Sequence, residues 1–281
     1  MAIDGLSPGA PEPIEPKVRI QEFQVLGSEL ASQDEFQEVL AAYRDKPMSF
    51  QELQALPVRV ANVLHNKGYV LAQAWMPPQR LSDGVLQIQV LDGKVDGTVA
   101  DGGILVEGIA KRVRAESVRE LLSDSVKPDQ ALQVSELDRG LRLVEEHPGV
   151  AAVRSNLVPG AMAGTTAVQV NINEQDLVTG SLSANNYGDI HTGKRRVNAH
   201  LDLNSPTGRG EQLSLDLGGS QGMRMAGLSV SAPFGGKGMR LGASASLTEM
   251  DIDPSKVPAN LDSESLSYGL FVQKPLSRSD D

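Results

Sequence analysis

Val197-Asn198-Ala199-His200-Leu201-Asp202-Leu203 alternates apolar and polar side chains without a break. Successive side chains of an extended strand point to opposite faces. This stretch therefore puts Val197, Ala199, Leu201 and Leu203 on one side and Asn198, His200 and Asp202 on the other. The pattern recurs downstream. Leu213, Leu215 and Leu217 interleave with Ser214, Asp216 and Gly218, and Ala226, Leu228, Val230 and Ala232 with Gly227, Ser229 and Ser231. Leu241, Ala243, Ala245 and Leu247 interleave with Gly242, Ser244 and Ser246. Leu266, Tyr268, Leu270 and Val272 continue against Ser267 and Gly269, with Phe271 breaking the polar phase. Two architectures carry such alternation. A soluble β-sandwich turns the apolar face inward onto a second sheet. An outer-membrane β-barrel turns it outward to lipid. Three features favour the barrel. The runs are about ten residues long, the length a tilted strand needs to cross a bilayer. Their second face is rich in Gly, Ser, Asn and Asp, which suits a wet lumen. The hairpins follow one another as a meander. Loops near residues 188–194, 219–222 and 250–264 then share one end, extracellular if the preceding segment is periplasmic. Turns at 205–210, 233–238 and 274–278 share the other.

Upstream the period changes. Val18, Ile20, Phe23 and Val25 suggest a strand with a bulge between Ile20 and Phe23. Ser32 with Glu35, and Ser49 with Glu52, have the spacing of capping boxes, in which hydroxyl and carboxylate satisfy backbone donors of the first helical turn. Phe36, Val39, Leu40 and Tyr43 follow the first at helical spacing, and Leu53, Leu56, Val60, Val63 and Leu64 follow the second, with Gly68 as its stop. Pro57 lies inside the second stripe and removes a backbone donor, so a kink or restart is expected there. Residues 69–76 and 85–91 read as strands around Pro77, Pro78 and a turn at 82–84. The order β-α-α-β-β then recurs over residues 94–173. It comprises an extended 94–106 with a turn at Gly102-Gly103 and a helix outlined by Ile109, Val113, Val118, Leu121 and Leu122. A helix capped by Ser135 with Asp138 follows, carrying Leu137, Leu141 and Val144, then a stop at Pro148-Gly149 and a hairpin of 151–158 with 166–172. Residues 5–16, with Pro8, Pro11, Pro13 and Pro16, read as an extended linker. The fold class is α+β followed by all-β, with boundaries at 1–16, 17–93, 94–174 and 175–281.

Composition excludes several classes of chemistry. The net charge of −10 over 281 residues opposes nucleic-acid binding, because the phosphate backbone would repel it. The absence of cysteine removes disulfides, zinc–thiolate sites and thiol catalysis. No apolar run is long enough for a transmembrane helix, and the first sixteen residues lack the basic and apolar regions of a signal peptide. Gly188-Asp189-Ile190-His191-Thr192-Gly193-Lys194-Arg195 approximates a phosphate-binding loop. It ends in Arg where Ser or Thr should hold magnesium, and a strand follows where a helix should. His65, His147, His191 and His200 have no metal-ligand spacing, and His200 is expected in the lumen beside Asn198 and Asp202. Glu145-Glu146 reads as a solvated helix end, and no nucleophile elbow is present. No catalytic residue, metal, cofactor, nucleotide or nucleic acid is expected.

Gly68-Tyr69-Val70, Trp75-Met76-Pro77-Pro78-Gln79, Leu81-Ser82-Asp83-Gly84-Val85-Leu86 and Leu91-Asp92-Gly93-Lys94-Val95 follow one another in an order that resembles the POTRA domain of two-partner secretion transporters. These are the haemolysin activation/secretion outer-membrane proteins of the Omp85 superfamily. Asn185-Asn186-Tyr187-Gly188 with Thr192-Gly193 is similar to the family's first barrel strand. Ser205-Pro206-Thr207-Gly208-Arg209-Gly210-Glu211-Gln212-Leu213 resembles its first periplasmic turn. Ser267-Tyr268 through Pro275-Leu276-Ser277-Arg278-Ser279 resembles a later turn segment. The resemblance covers residues 17–281 and singles out Pro78, Gln79, Gly84, Asn186, Gly188 and Gly208. It implies two periplasmic POTRA domains, 17–93 and 94–174, followed by the first strands of an antiparallel transmembrane β-barrel in the outer membrane. It implies a large secreted exoprotein, adhesin- or haemolysin-like, as partner, with outer-membrane lipid around the barrel.

The family's plug helix, extracellular plug loop and later barrel strands have no matching positions, so a C-terminally truncated chain is expected. Half of a split gene and a non-functional remnant are other forms of that expectation. About six strands leave two unpaired edges, which hydrocarbon does not tolerate. The 281-residue chain alone is therefore expected to give no stable pore, and lasting channels in a planar-bilayer recording would refute this. By analogy with the family, the strand at 69–75 is the candidate client-binding edge, where an extended segment could add a strand. Its residues are Tyr69, Leu71, Gln73 and Trp75, the last three sharing one face. Tyr69 and Trp75 equally suit capping the small core. Proline at Ala72 or Gln73 is expected to block the client and spare the fold. Two other functions stay open. A barrel-assembly factor of the same superfamily would carry more POTRA units, and a soluble periplasmic β-rich binding protein would fractionate away from membranes.

Overall fold

The computed structural model describes residues 17–81, 83–107, 112–235, 238–252 and 261–275. The linker 1–16, Ser82, Ile109, most of the 250–264 loop and the end of the 274–278 turn lie outside them. The chain divides into two compact units, Met1–Gly93 and Lys94–Asp281.

The first unit runs β1 (Val18–Arg19), β2 (Glu22–Leu26), α1 (Gln33–Leu40), a 3-10 turn (Ala41–Tyr43), β3 (Pro47–Met48), α2 (Phe50–Asn66), β4 (Gln73–Trp75) and β5 (Val85–Leu91). Its main sheet has the order β2-β5-β4, with β2 parallel and β4 antiparallel to β5, while β1 pairs with β3. Both capping boxes form. The Glu35 carboxylate accepts from the Ser32 amide at 2.8 Å and that of Glu52 from the Ser49 amide at 2.7 Å, each hydroxyl answering at the third helical residue. Leu53, Leu56, Val60 and Leu64 of α2 share one buried cluster with Phe36 and Leu40 of α1 and Phe23, Val25, Leu86 and Ile88 of the sheet.

Three local expectations are corrected here. Pro57 does not restart α2, which runs unbroken through it with Pro57 buried. One ladder bond is lost, and the buried stripe on both sides keeps the helix together. Between Ile20 and Phe23 the strand breaks rather than bulges, and the amides of Gln21 and Glu22 both donate to Gly84 O, at 2.7 and 3.2 Å. The strand expected over 69–76 shrinks to Gln73–Trp75. The residues before it finish α2. Gly68 has φ +89° and donates to His65 O at 2.9 Å, and the Tyr69 amide reaches Leu64 O at 3.1 Å. These are the two bonds of a Schellman motif, which needs a left-handed residue that glycine supplies without strain. Tyr69 and Leu71 are therefore turn residues and share no strand face with Gln73 and Trp75.

The second unit opens with β6 (Lys94–Val95), α3 (Ala100–Gly103), β7 (Ile104–Glu107), α4 (Ala115–Leu122), α5 (Val134–Glu145), β8 (Val150–Pro159) and β9 (Thr165–Glu174). Its sheet has the order β6-β9-β7, with β8 paired to β9 across a register shift at Ala151. The expected extended run 94–106 is interrupted by the helical turn α3. The Ser135–Asp138 box is not made. Gln133 is the N-cap of α5 and Ser135 falls inside the first turn, because burial of Leu137, Leu143 and Val144 fixes the helix phase. Gly140 lets α5 approach α4 closely, since a Cβ there would lie 2.9 Å from Leu122 Cδ2 and 2.8 Å from Ser125 Oγ. Fully buried Asp96 ties this part together. Its Oδ1 accepts from the Thr98 amide and hydroxyl at 2.9 and 2.6 Å. Its Oδ2 accepts from the amides of Ala161 and Met162 at 2.6 and 3.0 Å and the Thr165 hydroxyl at 2.8 Å.

The remaining strands are β10 (Val178–Asn185), β11 (Arg196–Asn204), β12 (Gln212–Ser220), β13 (Met223–Pro233), β14 (Arg240–Ile252) and β15 (Leu261–Gln273). They form one six-stranded antiparallel meander in chain order, which is not closed.

Candidate functional site

The register turns the strand-by-strand alternation into a continuous surface. Directly paired residues of an antiparallel ladder point to the same side. One row across the sheet is Val178, Leu203, Leu213, Val230, Ala243 and Leu270. The next is Gly180, Leu201, Leu215, Leu228, Ala245 and Tyr268, and the third is Leu182, Ala199, Leu217, Ala226, Leu247 and Leu266. No charged side chain enters these rows. The face they form is bare, with Leu182 and Tyr268 each 77% exposed and Leu270 90% exposed. Charge begins one row further from the α/β part, where Arg224, Glu249 and Glu264 pair across β13–β15.

The opposite face carries rows such as Ser181, His200, Asp216, Gly227, Ser246 and Ser267. His200 bridges two strands there. Its Nδ1 lies 2.6 Å from Asp216 Oδ1, its Nε2 lies 2.9 Å from Asp202 Oδ2, and Ser214 Oγ donates to Asp202 Oδ1 at 2.5 Å. Asp202, expected beside it, is one partner, and Asp216 of β12 is the other. Among the described residues no cluster of His, Asp or Glu could hold a metal, and no helix is long and apolar enough to cross a membrane.

The 205–211 turn docks on the α/β part of its own unit. Arg114 N and Nε donate to Gly208 O and Thr207 O, both at 2.9 Å. Glu174 Oε1 accepts from the amides of Arg112 and Val113 at 2.6 Å each. Gly208 has φ +82°, and a Cβ would lie 1.9 Å from Arg112 O, so only glycine closes this contact. Ser205, fully buried with φ +47°, accepts from the Gly210 amide at 2.8 Å, and Thr207 donates to the Glu211 carboxylate. A cavity of about 590 Å³ opens beside this joint, lined in part by Arg114, His147, Glu211 and Arg240. Burial holds the His147 imidazole below its usual range, so it is neutral at physiological pH. The docking places the β11–β12 and β13–β14 connections at the end facing the α/β part and the β10–β11, β12–β13 and β14–β15 connections at the other, the grouping the alternation required.

In the first unit, β4 is an outer strand of its sheet. Gln73 and Trp75 are exposed on it, Trp75 by 44%, while Tyr69 packs against the core. Gln79 acts as a surrogate strand. Its side-chain amide donates to Gln87 O and accepts from Gln87 N, both at 2.8 Å, where Pro77 and Pro78 end the ladder. Gly84 takes φ +69° at the entry to β5. Gly188 closes the β10–β11 loop through its amide to Lys194 O at 2.9 Å, whereas Asn186 and Pro78 are exposed. Glu174, Asp96 and the amides of Gln33 and Gln37 escaped sequence reading. Nothing in local spacing marks a side chain whose partner lies dozens of residues away.

A POTRA domain model of ShlB type matches residues 18–93, and the haemolysin secretion/activation protein ShlB/FhaC/HecB model matches residues 164–281. Both matches are to modules of ShlB-type haemolysin secretion/activation proteins. The heme/hemopexin transporter protein HuxB of Haemophilus influenzae is 25% identical over 247 residues, 87% of this chain and 42% of that protein. The outer membrane transporter CdiB of Escherichia coli is 24% identical over 226 residues, 78% of this chain and 37% of that one. The chain thus spans less than half the length of these curated relatives. Solved CdiB from Escherichia coli superposes with a TM-score of 0.72 at 19% identity, over 97% of this chain and 50% of the other. BamA from Haemophilus ducreyi gives 0.52 at 15% identity. These likenesses establish the fold, a ShlB-type POTRA domain and an antiparallel meander resembling the start of an Omp85-type barrel.

Proposed function

We propose that this chain is the periplasmic receptor and first barrel segment of an outer-membrane transporter that secretes a large exoprotein by the two-partner route. The observation that carries this reading is the bare apolar face of β10–β15. Nothing among the described residues covers it, as the second sheet of a sandwich would, and water does not tolerate so broad a patch. Lipid satisfies it, and the polar face then borders an aqueous path. Residues 94–174 repeat the β-α-α-β-β order and serve as a second POTRA domain. Residues 1–174 lie in the periplasm and the strands in the outer membrane. The chain needs no cofactor and acts as a transporter, not an enzyme.

Client capture is assigned to the β4 edge. Gln73 and Trp75 pair with Leu91 and Gln89, and Gln87 faces the same side through Gln79, so the intervening Ala74 turns its N–H and C=O outward. Ala72 is already engaged, its amide donating to Tyr69 O at 3.1 Å and its carbonyl 2.8 Å from His65 Nε2. Proline at Ala72 or Gln73 would therefore damage the turn or the ladder, and Ala74→Pro is the informative change. Edge strands accept proline on their open side. Binding of extended peptides from the cognate exoprotein should fall about tenfold, the worth of one main-chain bond plus the steric block. Thermal unfolding should stay unchanged. Undiminished binding to the Ala74→Pro chain would remove β4 from the mechanism.

A further inference from the structure

The two outer strands of the first unit's sheet are treated differently by the rest of the chain. β2 is the longer, spanning Glu22–Leu26, and is parallel to β5. Its inward backbone groups belong to Glu22, Gln24 and Leu26, as the Glu22 amide on Gly84 O illustrates. Phe23 and Val25 therefore turn theirs outward. Those carbonyls are occupied. Gln33 Nε2 donates to Val25 O and Gln37 Nε2 to Phe23 O, both at 2.6 Å. The spacing makes this a matched pair. Four residues of helix rise about 6 Å and two residues of strand about 6.6 Å, so α1 presents one amide to each outward carbonyl. Arg44 Nη2 donates to Gln37 Oε1 at 3.1 Å, which leaves the amide nitrogen for the strand. The helix is itself anchored by its capping box and by the Lys67–Glu35 ion pair at 2.6 Å.

We propose that Gln33 and Gln37 are an edge guard that closes β2 to strand addition and confines it, in this domain, to β4. The idea rests on the strand-addition reading above and specifies which of two edges an extended segment of exported polypeptide can use. An open strand carrying Phe23 and Val25 would be a template for unwanted pairing, including with a second copy of the chain. Side-chain amides fill the acceptors that such a strand would need. On the other side the third glutamine, Gln79, seals Gln87 in the same way and leaves Ala74 as the outward position within β4.

The test uses the full chain in detergent, with a second copy as the probe. The chain has no cysteine, so Glu22→Cys places a single thiol on the exposed face of β2 and Gln73→Cys a single thiol on β4. Gln33→Glu with Gln37→Glu keeps the shape and removes the donors, whereas Gln33→Lys with Gln37→Lys keeps donors. Under mild oxidation the Glu pair should raise disulfide-linked dimer through Glu22→Cys at least fivefold over the unmutated guard. The Lys pair should stay at background. Equal crosslinking in all three backgrounds overturns the guard, and so does a rise confined to Gln73→Cys. Should circular dichroism find the Glu pair unfolded, single Gln33→Glu, which keeps the Gln37–Arg44 contact, takes its place with the same outcomes. Because crosslinking is read and secretion is not, a negative result leaves the transporter reading intact.

Discussion

Leu228→Arg should block stable membrane insertion, while Ser229→Arg, one residue away, should be tolerated. Leu228 is half exposed in the middle apolar row, flanked by Leu215 and Ala245. Arginine at the bilayer midplane on a lipid-facing position costs about 2–4 kcal/mol. Ser229 pairs with Ser214 and Ser244 on the polar face, where a guanidinium stays in water. Carbonate extraction of the two variants measures the difference. The reverse order, with Leu228→Arg inserting and Ser229→Arg failing, would turn the sheet inside out. Equal behaviour would mean that neither face meets hydrocarbon.

Asp96→Ala should lower the unfolding midpoint of the second unit's α/β part by roughly 10 °C or more. Its carboxylate accepts five hydrogen bonds from Thr98, Ala161, Met162 and Thr165. These bonds tie the turn after β6 to the β8–β9 connection, and removing the carboxylate breaks all five together. Asp96→Asn should do less harm, since one oxygen remains an acceptor. The Thr98 hydroxyl first, then the Met162 amide and the Thr165 hydroxyl, hold this carboxyl well below the usual carboxylate range. A depressed folded-state value means stability that is present above the unfolded carboxylate value, about 3.9, and lost as pH falls through the folded one. Wild type should therefore lose stability on acidification below about pH 4 more steeply than Asp96→Asn. Hydrogen exchange along β9 reads both effects locally, and indistinguishable acid limbs would dismiss Asp96 as the tie.

The family resemblance was legible in the order of short motifs, and the membrane reading was legible because it rests on period. Alternation from Val197 to Val272 needs only the strand's two-residue repeat, and the capping boxes at Ser32 and Ser49 need only one helical turn. The Gly68 stop is equally local. Where local rules were extended too far, tertiary packing overruled them. Ser135 and Asp138 have cap spacing, yet burial of α5 set the start two residues earlier. Tyr69 and Leu71 fall in phase with Gln73 and Trp75 in sequence, yet the turns that follow α2 consumed them.

The sequence by itself determined which faces are apolar, where α1 and α2 start, where α2 stops, and the order of the main elements, since each depends on contacts within a few residues. Only the tertiary structure decided the register that aligns Leu201, Leu215 and Leu228 into one row, the close approach that requires Gly208, and the meeting of Asp96 with Met162. It alone decided which sheet edge Gln33 and Gln37 close. Hydrogen bonds and contacts between distant segments depend on how the chain returns on itself, and that path leaves no period in the sequence to read.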